Sequence, residues 1–118
     1  VRRRPLDAGR TDRQAVATQA TKEAVMSVLE ARYRVRDRDA FMDVFRDFRP
    51  VRLEMGCRGC RVMGDDGDPN SVVVMFDFPS AEAARAFAAD PRRIEALERA
   101  GVESRDDLVL EELHAAGP

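Results

Sequence analysis

Hydrophobic residues along the chain switch between two periods, and the switches mark the elements. From Val28 to Arg36 they alternate: Leu29, Ala31, Tyr33 and Val35 point one way, and Val28, Glu30, Arg32, Arg34 and Arg36 the other. Period two over this span predicts a strand. Asp37 or Asp39 then offers a helix N-cap. Phe41, Val44, Phe45 and Phe48 follow at i, i+3, i+4 and i+7, one apolar stripe on a helix. Pro50 interrupts that helix, and Val51, Met55 and Gly56 end it as a kinked last stretch. Arg58–Gly64, with Cys60 and Val62, reads as a second strand. Asp65, Asp66, Gly67, Asp68, Pro69 and Asn70 are dense in turn formers and lead to a third strand, Ser71–Phe78. There Val72, Val74, Phe76 and Phe78 share one face, and Val73, Met75 and Asp77 the other. Ser80 caps a helix with the stripe Ala83, Ala84, Phe87 and Ala88. Asp90 and Pro91 start a further helix, carried by Ile94 and Leu97 and closed by Gly101. Leu108–Leu113 is the last strand, with His114 at its end.

The order strand, helix, strand, strand, helix, strand is the split β-α-β arrangement of an α+β, ferredoxin-like fold. Right-handed crossovers put both helices on one face of a four-stranded antiparallel sheet, with the first and third strands central. Residues 1–25 lack either period and contain the breakers Pro5 and Gly9. They read as a flexible extension, residues 26–114 as the domain, and 115–118 as a tail.

The two faces of this sheet differ. Leu29, Ala31, Tyr33 and Val35 beside Val72, Val74, Phe76 and Phe78 make a core face for the helices to cover. The opposite face mixes Val28, Val73 and Met75 with Glu30, Arg32, Arg34 and Asp77. Solvent gives little reason for the apolar members, and a dry core would tolerate the charged ones only in pairs. A face closed by a second copy of the chain fits both, so the sequence predicts a homodimer through the sheet.

Composition narrows the partners. The 118 residues allow one domain. The formal net charge is −2, but residues 1–25 carry +3, which leaves −5 for the remainder. A body of that sign repels phosphate backbones, so nucleic acid is not an expected partner. No apolar run approaches the roughly 18 residues of a membrane span, and no apolar stretch follows the first arginines, so neither membrane insertion nor export is expected and the location reads as cytoplasmic. There is one histidine and no tryptophan, and Lys22 is the one lysine.

The stretches "RYRVRDRDAFMDVF", "GCRGCRVMGDDGDPNSVVVMFDFPSAEAARAFAADP", "RIEALERAGV" and "LVLEEL" resemble the dimeric α/β-barrel proteins grouped with antibiotic biosynthesis monooxygenases. The resemblance runs over about residues 28–113. It implies two ferredoxin-like protomers packed sheet to sheet, with a pocket in each subunit. It also implies a range of activities: cofactor-free oxygenation of polyphenols, haem degradation, isomerisation and cyclisation. The oxygenase and haem-degrading members use a pocket tryptophan with asparagine or histidine. This chain has no tryptophan, and its one asparagine, Asn70, falls in the expected turn. No catalytic residue of those members therefore carries over.

Candidate chemistry comes instead from the mixed face. Arg32 and Arg34, with Glu30 and Met75 beside them, could hold a carboxylate or enolate, and Asp77 could serve as base. The alternative is that these charges pair with one another. His114 is a second candidate base, the one side chain with an unperturbed pKa near neutrality. Tyr33 falls on the core face, with a hydroxyl that needs a partner. Cys57 and Cys60 have the spacing of a redox or zinc half-site, but zinc needs four ligands and one pair supplies two. Asp65, Asp66 and Asp68 lack EF-hand spacing and read as a hairpin turn. No metal or cofactor is expected. With a pocket expected between sheet and helices, two functions fit first: an enzyme that oxidises, isomerises or cyclises a small, partly apolar organic compound without a cofactor, or a binding or accessory protein that holds such a compound without turnover; a redox or zinc role for the cysteine pair is third.

Overall fold

A computed structural model describes residues 26–118. The expectation for residues 1–25 lies outside the described residues. Four strands, β1 (Ser27–Val35), β2 (Gly59–Asp65), β3 (Asp68–Phe78) and β4 (Val102–Glu111), form one antiparallel sheet in the order β2-β3-β1-β4. Four helices cover it: α1 (Arg38–Asp47), α2 (Arg49–Glu54), α3 (Ala81–Ala89) and α4 (Pro91–Arg99). The fold is the α+β, ferredoxin-like one that the element order predicts, with β1 and β3 central.

The caps fall where the side chains predict them. Asp37 accepts from the Asp39 amide, Ser80 from the Ala83 amide and Asp90 from the Arg92 amide, each satisfying a donor that a helix start leaves open. Gly101 ends α4 with φ +78°, a left-handed conformation that costs glycine nothing. Pro50 sits in the first turn of α2, so the kinked stretch is a separate short helix after a break at Phe48.

Two strand expectations need correction. The turn between β2 and β3 is only Asp66 and Gly67, and Asp68, Pro69 and Asn70 belong to β3. Asp65 explains the tightness: its Oδ1 accepts from the Gly67 amide at 2.8 Å. Asn70 is not a turn residue. Its Nδ2 donates to the carbonyls of Val35 and Arg36 at 2.9 and 3.3 Å, tying β3 to the end of β1. β4 starts at Val102, six residues before Leu108, and ends at Glu111, short of Leu113. It is an edge strand whose early residues are charged, so no alternation announced it.

The core is the face read from the sequence. Leu29, Ala31, Tyr33, Val35, Val72, Val74, Phe76 and Phe78 are all buried, under Phe41, Ala84 and Phe87 of the helices. Phe87 packs against Phe76 and Phe78 with ring centroids 5.1 and 5.3 Å apart.

Candidate functional site

The open face of the sheet is now defined by register. Across its middle, Arg61, Met75, Glu30 and Leu108 lie side by side, followed by Met63, Val73, Arg32 and Asp106. Asp77, Val28 and Leu110 make the neighbouring row. Val28, Val73 and Met75 are half-buried, while Leu108, Leu110 and Met63 are 50%, 40% and 39% exposed. The mixture predicted for β1 and β3 therefore continues onto both edge strands.

The charged candidates on this face largely answer one another. Arg32 Nε lies 3.3 Å from Glu30 Oε1, and Arg34 Nη1 lies 2.8 Å from Asp68 Oδ2. The hydrogen bond from Arg34, with another from the Asn70 amide, holds the Asp68 carboxyl below the usual carboxylate range. Asp77 faces Val28 in the register, four positions from Val73, the residue that faces Arg32, and forms no ion pair among the described residues. His114 lies beyond the end of β4 and is exposed. The structure thus gathers Glu30, Arg32, Arg34, Met75 and Asp77 on one face and leaves His114 outside the sheet.

A cavity lies on the opposite side, between sheet and helices. Tyr33, Phe41, Phe45, Phe76, Phe87 and Arg93 are among its walls, and its volume is about 30 Å³. The half-buried members of the lining, Val44, Phe45, Phe48 and Leu97, form its rim. None of the five open-face candidates reaches it, because alternation sends them through the other surface of the sheet.

Its polar wall is a group that the sequence reading missed. Arg93 is only 2% exposed. Its Nη1 and Nη2 meet Asp107 Oδ2 and Oδ1 at 3.0 and 2.9 Å, a forked pair. Nη1 also donates to the Ala88 carbonyl at 2.9 Å, and Nη2 donates to the Tyr33 hydroxyl at 2.8 Å. Nε of Arg93 is buried without a partner among the described residues. Tyr33 is buried in the core, as expected, with its hydroxyl accepting from Arg93. Burial pushes its pKa up, against the lowering pull of Arg93, so the phenol stays protonated. Burial pushes Arg93 down, but Asp107 and Tyr33 outweigh it and the net direction is up. One signal for Arg93 existed. Arg93, Ala96 and Ala100 fall at i, i+3 and i+7 on α4, and all three are buried. Two alanines leave room beneath the helix for one long side chain. Ile94 and Leu97, the residues first read as carrying this helix, are half-buried at its margin.

Cys57 and Cys60 are both free, and no group of three or more histidine, cysteine or acidic side chains suited to a metal occurs among the described residues. Cys57 is buried, and its Sγ donates to the Gly59 carbonyl at 3.2 Å. Burial raises its pKa, the direction of an unreactive thiol. In the acidic run, Asp65 accepts from the Gly67 amide and Asp68 from the Asn70 amide and Arg34, while Asp66 stands exposed in the turn. Among the described residues no helix is long and apolar enough to cross a membrane.

Comparison with known proteins gives the fold a family of shapes. No family model and no curated protein matches the chain. Solved structures do. SnoaB, a cofactor-independent oxygenase from Streptomyces nogalater, aligns over 77% of this chain and 96% of its own, with a TM-score of 0.65 and 14% identity. A protein of unknown function from Nitrosomonas europaea aligns over 81% and 97%, with a TM-score of 0.63 and 16% identity. A candidate antibiotic biosynthesis monooxygenase from the same organism aligns over 78% and 94%, with a TM-score of 0.62 and 15% identity. The chain has the fold of the antibiotic biosynthesis monooxygenase-like proteins. Identities this low carry the fold and not an activity.

Proposed function

We propose that the protein is a homodimer, closed sheet against sheet, that binds a small, partly apolar organic compound without turning it over. The observation that carries the binding reading is the wall of the cavity. Its lining is aromatic and aliphatic apart from Arg52 and two groups with donor capacity to spare: the Tyr33 hydroxyl, which accepts from Arg93 and keeps its own proton, and Arg93, whose Nε has no partner among the described residues. Such a wall suits one acceptor oxygen of a flat compound, with the rest lying across Phe45 and Phe48 at the rim. A volume of about 30 Å³ admits a water-sized group, well below the ~300 Å³ of a pocket that encloses a whole ligand.

Two features favour binding over turnover. The cavity walls include no group suited to take a proton: the phenol is held protonated, and Asp107 is committed to Arg93 by two hydrogen bonds. On the open face, Arg32 and Arg34 are occupied by Glu30 and Asp68. The half-buried and exposed apolar residues of that face, flanked by both signs of charge, support its burial against a second copy. Glu30, Arg32, Arg34, Met75 and Asp77 would then line the space between copies and hold the dimer rather than the ligand.

A second reading, cofactor-free oxidation, isomerisation or cyclisation, has one observation in its favour. The Arg93 guanidinium on the Tyr33 oxygen makes that hydroxyl a stronger donor, able to polarise a carbonyl. A bicyclic phenol separates the two. 1-Naphthol titrated into the protein should change its fluorescence and bind more weakly to Tyr33→Phe, with oxygen uptake equal to a protein-free control. Oxygen uptake or product formation that disappears in Tyr33→Phe would establish turnover and overturn the binding-only reading. Unchanged naphthol fluorescence would overturn the cavity as a binding site.

A further inference from the structure

Arg52 is shared between the aromatic cavity and a second hollow of about 130 Å³, whose lining includes Arg49, Leu53, Cys57, Arg58 and Cys60. The side chain of Arg52 is unusual here. It is only 7% exposed, yet it pairs with no carboxylate among the described residues. Its Nη1 donates to the Phe45 carbonyl at 2.6 Å, and its Cζ stands 4.0 Å from the centre of the Phe45 ring. These contacts fix the guanidinium at the C-terminal end of α1, where the helix dipole is negative. They offset a fraction of a charge and leave the rest.

The neighbourhood adds positive charge. Arg49 and Arg58 are exposed on the same hollow and also lack an acidic partner among the described residues. Arg32, Arg34, Arg46, Arg92 and Arg93 each meet a carboxylate; of the other arginines without one, Arg36, Arg61, Arg85 and Arg99 are exposed and Arg38 is taken up by three carbonyls, which leaves Arg52 as the buried exception. Burial pushes the pKa of Arg52 down, the two thiols push it up, and Arg49 pushes it further down, with no carboxylate contributing. Three arginines line one hollow, one of them buried and anchored, and the Asp77 carboxylate beside Gly59 pairs with none of them, so the hollow is built as an anion receptor rather than a structural ion pair.

We propose that this hollow binds a small oxyanion, the carboxylate or phosphate group of a compact metabolite, with Arg52 as the fixed contact and Arg49 and Arg58 closing over it. The volume accommodates such a group with a few attached atoms and excludes anything as large as a dinucleotide. Arg52 borders both spaces, but Arg49, Arg58 and Cys60 line this hollow and not the aromatic cavity, so variants at Arg49 and Arg58 separate its fate from that of the naphthol experiment.

Cys60 supplies the readout, because it lines the hollow and is half-buried, whereas Cys57 is buried. Alkylation of Cys60 by iodoacetamide, a neutral reagent, is followed by peptide mass spectrometry in inorganic phosphate, in acetate and in sodium chloride of matched ionic strength. Phosphate or acetate should slow the reaction in a saturable way, and chloride should not. Protection by phosphate alone assigns a phosphate ligand, and protection by acetate a carboxylate. Arg49→Gln and Arg58→Gln, both at exposed positions, should each weaken the protecting anion about tenfold, the loss of one charge-assisted hydrogen bond. Arg52→Gln should abolish protection, and if that variant does not fold the two exposed variants still decide. No protection by either oxyanion, equal protection by chloride, or unchanged affinity in both exposed variants would overturn the proposal.

Discussion

Removing Asp107 should destabilise the protein far more than its position on a charged edge strand suggests. Asp107 and Arg93 meet through two hydrogen bonds of 3.0 and 2.9 Å, and their side chains are 21% and 3% exposed. Asp107→Ala strands a guanidinium that is otherwise out of water. Breaking a buried pair from one side costs about 3–5 kcal/mol, and the partial exposure of Asp107 puts this case at the lower end, about 3 kcal/mol. For a domain of this size that is a fall in Tm of roughly 12 °C or more. Thermal unfolding followed by circular dichroism measures it. The double variant Arg93→Met with Asp107→Leu removes the stranded charge and should recover at least half of the loss, because well-packed apolar replacements of buried pairs are often close to neutral. A loss below about 1 kcal/mol in Asp107→Ala would place the pair among ordinary surface ion pairs and refute the buried-network description.

Other consequences are more local. A Cβ added at Gly64 would sit 2.6 Å from Arg38 Cζ, so Gly64→Ala must push aside the guanidinium that donates to the carbonyls of Asp65, Asp68 and Ser71. The cost should be about 1–3 kcal/mol in urea unfolding, and should shrink when Arg38→Ala is already present. Asn70→Ala removes the bonds to the Val35 and Arg36 carbonyls and should cost about 1–2 kcal/mol, with faster amide exchange at the end of β1. Asp68 has its folded pKa depressed by Arg34, so its contribution is present above the unfolded carboxylate pKa and disappears as pH falls through the folded value. The stability gap between the wild type and Asp68→Asn should therefore close on acidification. A gap independent of pH would contradict the pairing.

Period and caps made most of the fold legible in the sequence. The alternation of β1 and β3 located the central strands and both of their faces, and Asp37, Ser80, Asp90 and Gly101 marked helix boundaries that the structure keeps. What stayed hidden was whatever depended on register. The first half of β4 carries Glu103, Ser104, Arg105 and Asp106, and becomes a strand only because β1 offers it an edge. Asp107 reads as outward until its pairing with Ala31 places it on the helix side of the sheet. Arg93 and Arg52 follow the same logic, since a long polar side chain on a helix is read as solvated unless the space beneath it is known. The site candidates show the reverse case. Alternation grouped Glu30, Arg32, Arg34, Met75 and Asp77 on one face, whereas the cavity lies between sheet and helices, where a pocket was expected, and so behind the other face and out of their reach.

Burial of that open face against a second copy is the step on which the proposed dimer depends. Sedimentation equilibrium at micromolar concentration tests it directly, on the wild type and on Leu108→Asp, a change at a half-exposed position that a lone protomer should tolerate. The wild type should sediment at twice the 13.2 kDa chain mass, and the variant at the single-chain mass. A wild type of 13.2 kDa, or a Leu108→Asp variant that remains dimeric, would contradict that burial.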